Sequence, residues 1–226
     1  MVTGDNKGIV YEKKIFQILK EKKILDGEPA AGAGPGTDMT FLHRGKKYKL
    51  EVKNNICGPD YGQKRLVPSR EGGKWLWSWS IDEPITQYYT QANVLGYLDS
   101  KRIVPNKHNK PDSEITLADK KADLKNFEDT TFKISSDAFS KFYEGKADYL
   151  QVGNGYGFYH LVDDVACLGT QRFEGDFILR FRVKTHASKP VFKYSFFAVL
   201  KCIGANKKSR FNIEESRAQE FPPIVP

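Results

Sequence analysis

The 226-residue sequence predicts an α/β fold of the α+β kind, because it combines amphipathic helical patterns with segments whose apolar residues alternate at period two. The clearest helical pattern lies near the N-terminus, and an alternating hairpin pattern follows at 38–53. From Ala147 onward strand patterns dominate, which gives the chain a β-rich C-terminal half. The length fits a single domain of the larger kind.

The first element is an amphipathic helix over about 8–23. Its apolar residues recur at the spacing of one helix face: Tyr11, Ile15, Ile18 and Leu19. Glu12 lies at the border of this face, where its carboxylate can point toward a neighbouring sheet or can simply complement the helix dipole. The segment 28–36 is rich in Gly, Ala and Pro, and it predicts either a loop that a bulky ligand approaches closely or an ordinary connector.

The next pattern is a hairpin. Tyr48, Leu50 and Val52 alternate with the charged residues Lys49, Glu51 and Lys53, so a strand here has one apolar face and one charged face. A second strand at 38–43 precedes it, and Gly45 permits a tight turn between the two. A turn centred on 44–45 places Asp38 opposite Glu51, whereas a turn centred on 45–46 places it opposite Lys53. Either register puts Asp38 beside the Glu51/Lys53 pair.

This hairpin predicts a metal site. Two neighbouring carboxylates repel each other unless a cation joins them, and carboxylate oxygens suit hard ions such as Mg²⁺. A lysine beside such an ion can orient or deprotonate a water and offset charge that develops on phosphorus, which indicates metal-assisted phosphodiester hydrolysis. The alternative is a solvated strand face, which is the commoner meaning of an isolated Glu-x-Lys.

Asp38 and Glu51-Val52-Lys53 resemble the motif of the PD-(D/E)xK nuclease superfamily, with Thr37 at the position of the Pro in that pattern. The resemblance extends from the first helix to about Gly96. It implies a restriction endonuclease-like core, in which a central mixed β-sheet is flanked by helices. It also implies that Asp38, Glu51 and the carbonyl of Val52 bind Mg²⁺, that Lys53 positions the attacking water, and that Glu12 assists as an additional catalytic residue.

Cations and indoles are interleaved after the hairpin. Lys64, Arg65 and Arg70 precede three tryptophans at 75, 77 and 79, a mixture that can hold phosphates while an aromatic ring meets a base. The tryptophans also alternate at period two, so one strand face can instead bury them as core. A helix is predicted over 84–101, a polar, lysine-rich stretch over 105–125 with an exposed loop at 106–111, and a short helix from about 137 to 143.

Strands are predicted over 149–152, 158–162, 177–185 and 191–202. In 177–185 the apolar Leu179, Phe181 and Val183 alternate with three cations, which form a ladder on the other face. Together with Lys193, this ladder is the candidate surface for gripping a DNA backbone, and a merely solvated sheet face is the alternative. The residues that we assign to this surface are Arg180, Arg182, Lys184 and Lys193.

Composition bounds the partners and the compartment. The net charge of +8 and the pI near 9.2 indicate a polyanionic partner. The three widely spaced cysteines predict reduced, mostly buried thiols rather than disulfides or a zinc site. No signal peptide and no apolar run of membrane-spanning length is present in the sequence, so we expect a cytoplasmic protein without a membrane partner.

We therefore expect one nuclease domain over 1–226, with a catalytic core at 1–104 and a β-rich DNA-binding portion at 105–226. The resemblance implies an Mg²⁺-dependent endonuclease of double-stranded DNA, most simply a homodimeric type II restriction endonuclease. Two alternatives stay open: a structure-selective repair or recombination nuclease, and a nucleic-acid-binding module without catalysis.

Overall fold

The computed structural model describes residues 7–25, 38–128, 130–185, 190–204 and 207–226, and the small-residue loop at 28–36 lies outside them. Two short 3₁₀ turns occur at Asn106–His108 and Asp112–Glu114. The helices and strands are, in chain order, α1 (Lys7–Glu21), β1 (Met39–His43), β2 (Lys46–Lys53), β3 (Gly62–Glu71), β4 (Lys74–Trp79), α2 (Pro84–Gln91), α3 (Val94–Ser100), α4 (Leu117–Glu128), β5 (Thr131–Ile134), α5 (Asp137–Tyr143), β6 (Tyr149–Val152), β7 (Gly157–His160), β8 (Phe177–Thr185) and β9 (Tyr194–Cys202).

This described part of the chain is mixed α/β and β-rich, with five α-helices and two sheets, as the sequence predicted at the level of fold class. It forms two compact units that are interleaved in sequence. Unit 1 comprises the described residues of Met1–Pro59, Ser140–Asp176 and Cys202–Pro226, and unit 2 comprises those of Asp60–Phe139 and Phe177–Lys201. Residues from both sides of position 104 thus occur in each unit.

Unit 1 contains a four-stranded mixed sheet in the order β1-β2-β6-β7. The β2/β6 pair is parallel, whereas β1/β2 and β6/β7 are antiparallel. Helix α1 confirms the predicted N-terminal helix, and it buries Ile15 and Leu19 in the core of this unit. Leu50 and Val52 of β2 are buried in the same core, so the apolar face of the predicted strand packs as expected.

The β1–β2 turn fixes the register of the hairpin. Arg44 and Gly45 both have positive φ, 49° and 70°, which is the conformation of a two-residue type I′ turn. Met39 therefore pairs with Leu50, and His43 pairs with Lys46. Of the two registers that the sequence allowed, the structure has the one in which Asp38 stands opposite Glu51.

Unit 2 contains a five-stranded sheet in the order β4-β3-β9-β8-β5. Strand β8 alternates as predicted: Leu179, Phe181 and Val183 are buried, and the cations between them are half-buried. The core interpretation of the indoles holds for Trp77, whose ring contacts Phe127 and Phe196 with centroids 4.9 and 5.2 Å apart.

Several sequence predictions need correction. The helix predicted over 84–101 is two helices, because Asn93 between them adopts a left-handed conformation (φ 61°) that Asn tolerates. No helix was predicted in the lysine-rich stretch 105–125, but α4 begins within it at Leu117. The predictions omitted β3 and β5. The thiols are not mostly buried: Cys202 is buried, but Cys57 and Cys167 are exposed, and all three are free.

No helix in the described ranges combines the length and the apolar character needed to cross a membrane.

Gly153, directly after β6, permits a close approach between β6, α1 and the end of β2. Its N–H donates to the Lys53 carbonyl over 2.8 Å, and a Cβ added to it would lie 2.7 Å from the Asn54 carbonyl oxygen and 2.8 Å from Cζ of Tyr11. We expect Gly153→Ala to lower the free energy of unfolding by about 1 to 3 kcal/mol, because backbone and ring must shift. Urea denaturation measures the change.

Gly58→Ala is the matched control, since an added Cβ there meets no atom within 4 Å. Equal stability of the two alanine variants would contradict this packing.

Candidate active site

Asp38 and Glu51 lie side by side at the end of the β1–β2 hairpin. The register that pairs Met39 with Leu50 places Asp38 opposite Glu51, and directly opposite residues of antiparallel strands share one face of the sheet. Asp38 Oδ2 also accepts a hydrogen bond of 2.7 Å from the Val52 N–H. The side chain of Asp38 therefore continues the hairpin where the backbone pairing of β1 has ended.

Lys53 completes the group from the same face of β2. Its Nζ lies 2.6 Å from Glu51 Oε1, and the two side chains are only 17% and 13% exposed. Burial alone would lower the pKa of Lys53, but the carboxylates of Glu51 and Asp38 outweigh burial and hold it above its usual value. Tyr143, at the end of α5, donates a hydrogen bond of 3.3 Å to the same Glu51 oxygen. Lys53 is thus a firmly protonated cation at neutral pH.

The negative charge of the site exceeds what Lys53 neutralises. Burial, reinforced by repulsion from Glu51, raises the pKa of Asp38 from 3.8 to about 7 despite the opposing effect of Lys53. Burial also raises the pKa of Glu12 on α1, and Glu51 adds to that rise while Lys53 opposes it. Three carboxyl groups from two segments of unit 1 therefore share one electrostatic environment, and a cation would relieve their repulsion.

The donor set fits a hard divalent ion. Asp38 and Glu51 supply carboxylate oxygens, which Mg²⁺ prefers, and Mg²⁺ usually takes one or two carboxylates and keeps several waters. The N–H and C=O of one residue in a strand point the same way, so the Val52 carbonyl faces the side of β2 on which Asp38 lies. Within the described ranges no three His, Cys, Asp or Glu side chains are grouped so that they could hold a metal. Glu12 adds its charge to this site from α1.

A buried polar network holds α1 against the sheet that carries the site. Gln151 of β6 is fully buried, and its Nε2 donates to Tyr11 Oη (3.1 Å) and to Asn212 Oδ1 (2.8 Å). Its Oε1 accepts the Ile213 N–H (3.1 Å), and Tyr11 donates to Glu214 Oε2 (2.7 Å). Because Tyr11 precedes Glu12, this network fixes the helix turn from which Glu12 approaches the pair.

The predicted DNA-binding cations lie in unit 2, and the structure gathers four of them. Arg65 of β3, Arg182 and Lys184 of β8, and Lys193 line one cleft of about 910 Å³. The other three lie elsewhere in the unit: Lys64 is paired with Glu83, Arg70 is exposed near the end of β3, and Arg180 is half-buried on β8 beside β5.

Asp60 anchors the cations of β8. Its Oδ2 lies 3.4 Å from both Arg182 and Lys184, and its Oδ1 lies 2.9 Å from Lys201. Burial raises the pKa of Asp60, but the three cations outweigh that effect and hold it below its usual value. One carboxylate thus contacts three cations, and the group keeps a net positive charge.

Sequence reasoning missed Tyr143, Gln151 and Asp60. Gln151 had a visible signal, because it is the one polar residue in the buried strand Tyr149–Val152. Tyr143 and Asp60 had none, since their partners lie far away in sequence and only the folded chain brings them together.

Comparison of the chain with protein-family models, with curated proteins and with solved structures found no match.

The raised pKa of Asp38 has a consequence for stability in the absence of metal. Between pH 3.8 and about 7 the folded state keeps a proton that the unfolded state has lost, so stability falls as pH rises through this window and then levels off. Asn at position 38 can still accept the Val52 N–H but carries no charge. We expect Asp38→Asn to stabilise the protein by about 2 to 4 kcal/mol above pH 7 and to give no gain below pH 4.

Urea denaturation in EDTA across this range measures the difference. The exposed Asp163 provides the control substitution Asp163→Asn, and a gain of equal size in both variants would refute the assignment to the buried pair.

Proposed function

We propose that this protein is an Mg²⁺-dependent endonuclease of double-stranded DNA, with a PD-(D/E)xK-type site in unit 1. The observation that carries the proposal is the convergence of Asp38, Glu51 and Lys53 at one end of the β1–β2 hairpin. The parallel β2/β6 pair within a mixed sheet and the packing of α1 on it support the restriction endonuclease-like core that the motif implies.

In this proposal Asp38, Glu51 and the Val52 carbonyl hold the ion. When bound, Mg²⁺ supplies Lewis-acid polarisation of a phosphoryl oxygen and offsets the charge of the phosphate. Lys53 orients the attacking water and stabilises the charge that develops on phosphorus. It does not accept the proton of that water, because its raised pKa keeps it protonated. Glu12 has a raised pKa and lies near the pair, which suits it to accept that proton.

The positive cleft of unit 2 supplies the second part of the proposal. Its cations can neutralise phosphates and so hold DNA through its backbone. Among enzymes of this chemistry we favour a type II restriction endonuclease, following the resemblance of Asp38 and Glu51-Val52-Lys53 to the superfamily motif. Cleavage of both strands of a symmetric site requires two catalytic centres, so we propose a homodimer. Attack in line, as the resemblance implies, leaves 5′-phosphate and 3′-hydroxyl ends.

Substitution of Lys53 tests the catalytic roles. We expect Lys53→Ala to lower Mg²⁺-dependent cleavage of plasmid DNA by about 10²- to 10⁴-fold, because the water loses its orienting charge. Asp38→Ala removes a ligand of the ion and has the same effect. Binding of DNA in Ca²⁺, measured by fluorescence anisotropy, stays largely unchanged in both variants.

Lys49→Ala is the matched control. Lys49 lies on the same face of β2 as Lys53, but its ammonium donates to the Gly145 carbonyl. Undiminished cutting by Lys53→Ala would remove the assigned role, and absence of cutting by the unsubstituted protein would favour the binding module.

The pattern of products distinguishes restriction from structure-selective cleavage. A type II enzyme is expected to convert unmethylated plasmid DNA into discrete fragments whose ends map to one short sequence. Gel electrophoresis and end sequencing measure this. Cleavage confined to branched or single-stranded junctions would instead identify a repair or recombination nuclease.

A further inference from the structure

The cleft of unit 2 contains an aromatic ring among its cations. Phe197 of β9 is half-buried and lines the cleft, and its direct cross-strand partner on β3 is Arg65. Strand β8, on the other side of β9, contributes Arg182 and Lys184, and Lys184 Nζ lies 5.8 Å from the centroid of the Phe197 ring. The ring therefore has cations on both neighbouring strands.

In the described part of the chain, the ring of Phe197 and the guanidinium of Arg182 each lack contacts that comparable groups in this unit make. No other aromatic ring of the described chain packs against Phe197, although many rings in the core of this unit contact one another. Nε of Arg182 is buried and has no hydrogen-bond partner among the described residues. A buried donor without a partner is costly, so the fold leaves the guanidinium of Arg182 incompletely satisfied.

The charge of the cleft favours an anion. Among the residues that the structure describes, five cationic side chains line it against one carboxylate, that of Glu128. Its volume of about 910 Å³ accommodates a ligand of nucleotide size. Phosphate groups suit the guanidinium of Arg182 and the ammonium of Lys184, while a flat aromatic base suits the face of Phe197.

We propose that this cleft binds an unpaired nucleotide, with the phosphate on Arg182 and Lys184 and the base stacked on Phe197. A paired base in a duplex has both faces covered by its neighbours, so it cannot offer a face to a ring in the floor of a cleft. An extrahelical or single-stranded nucleotide exposes that face. The inference rests on the proposed function only in taking DNA as the polymer, and it does not depend on the metal site.

Binding in EDTA tests this assignment with the full chain. The probes are a short fluorescein-labelled oligothymidylate and a duplex of equal length, titrated by fluorescence anisotropy. Phe197→Leu is expected to weaken binding of the single strand by roughly tenfold and to leave duplex binding unchanged. Phe197→Trp, which offers a larger ring, retains single-strand binding and keeps the test decisive if the Leu variant is unstable.

Phe132→Leu is the matched control. Phe132 lies on the edge strand β5 of the same unit, and its half-buried ring packs on Tyr97 of α3. Competition by free thymidine monophosphate separates the two sources of the ligand. If thymidine monophosphate displaces the labelled strand, and does so only when Phe197 is present, a free nucleotide can occupy the site. If the strand stays bound, the occupant is an unpaired nucleotide within DNA.

Equal effects of Phe197→Leu on single strand and duplex, or no effect on either, would overturn the proposal. Because these measurements need no divalent ion, their failure is distinct from a loss of cleavage. An inactive metal site leaves the stacking result intact, and a failed stacking test leaves the nuclease proposal standing.

Discussion

The repulsion between the buried carboxylates of Asp38 and Glu51 is the constraint on which the rest of unit 1 depends. The fold tolerates this repulsion because Lys53 forms an ion pair with Glu51 and the Val52 N–H donates a hydrogen bond to Asp38. The pKa of Asp38 nevertheless rises to about 7. A chain selected only for stability has little reason to keep such a pair, since two apolar residues of similar volume avoid the cost of burying charge. The arrangement is consistent with a site prepared for a cation.

The geometry of this pair is set by main-chain pairing and by a polar core. The type I′ turn at 44–45 fixes the register, and a slip of one residue would move Glu51 and Lys53 to the apolar face. The fully buried amide of Gln151 joins β6 to α1 and to the segment at 212–213 through three hydrogen bonds, to Tyr11, Asn212 and Ile213. Satisfied networks of this kind define one packing arrangement, because any alternative leaves a buried polar group without a partner.

The local elements of this fold could be read from the sequence, and most of the long-range ones could not. The period-two alternation of β2 and β8 and the apolar face of α1 each depend on neighbours within a few residues, so they predicted both the elements and their buried faces. Strand β3 escaped notice because its exposed charges and Pro68 do not resemble a central strand. Pro68 is tolerated because the pairing with β9 ends at Leu66. Asp38, Glu51 and Lys53 were accessible because one hairpin carries all three, whereas Tyr143 and Asp60 became visible only once distant segments were folded together.

The interleaving of the two units delays completion of the four-stranded sheet of unit 1 during synthesis. Strand β2 is finished at Lys53, but its parallel neighbour arrives much later, since the bonded residues Lys49 and Asp148 are 99 positions apart. Closing so long a loop costs about 4 kcal/mol of chain entropy, and a unit 2 that folds early shortens the effective distance. The hydrogen bond from Tyr11 to Glu214 forms later still, because Glu214 lies 203 positions further along the chain. During synthesis, the carboxylates of the hairpin therefore lack the packing of β6 and the hydrogen bond between Tyr11 and Glu214 until those later residues have been made.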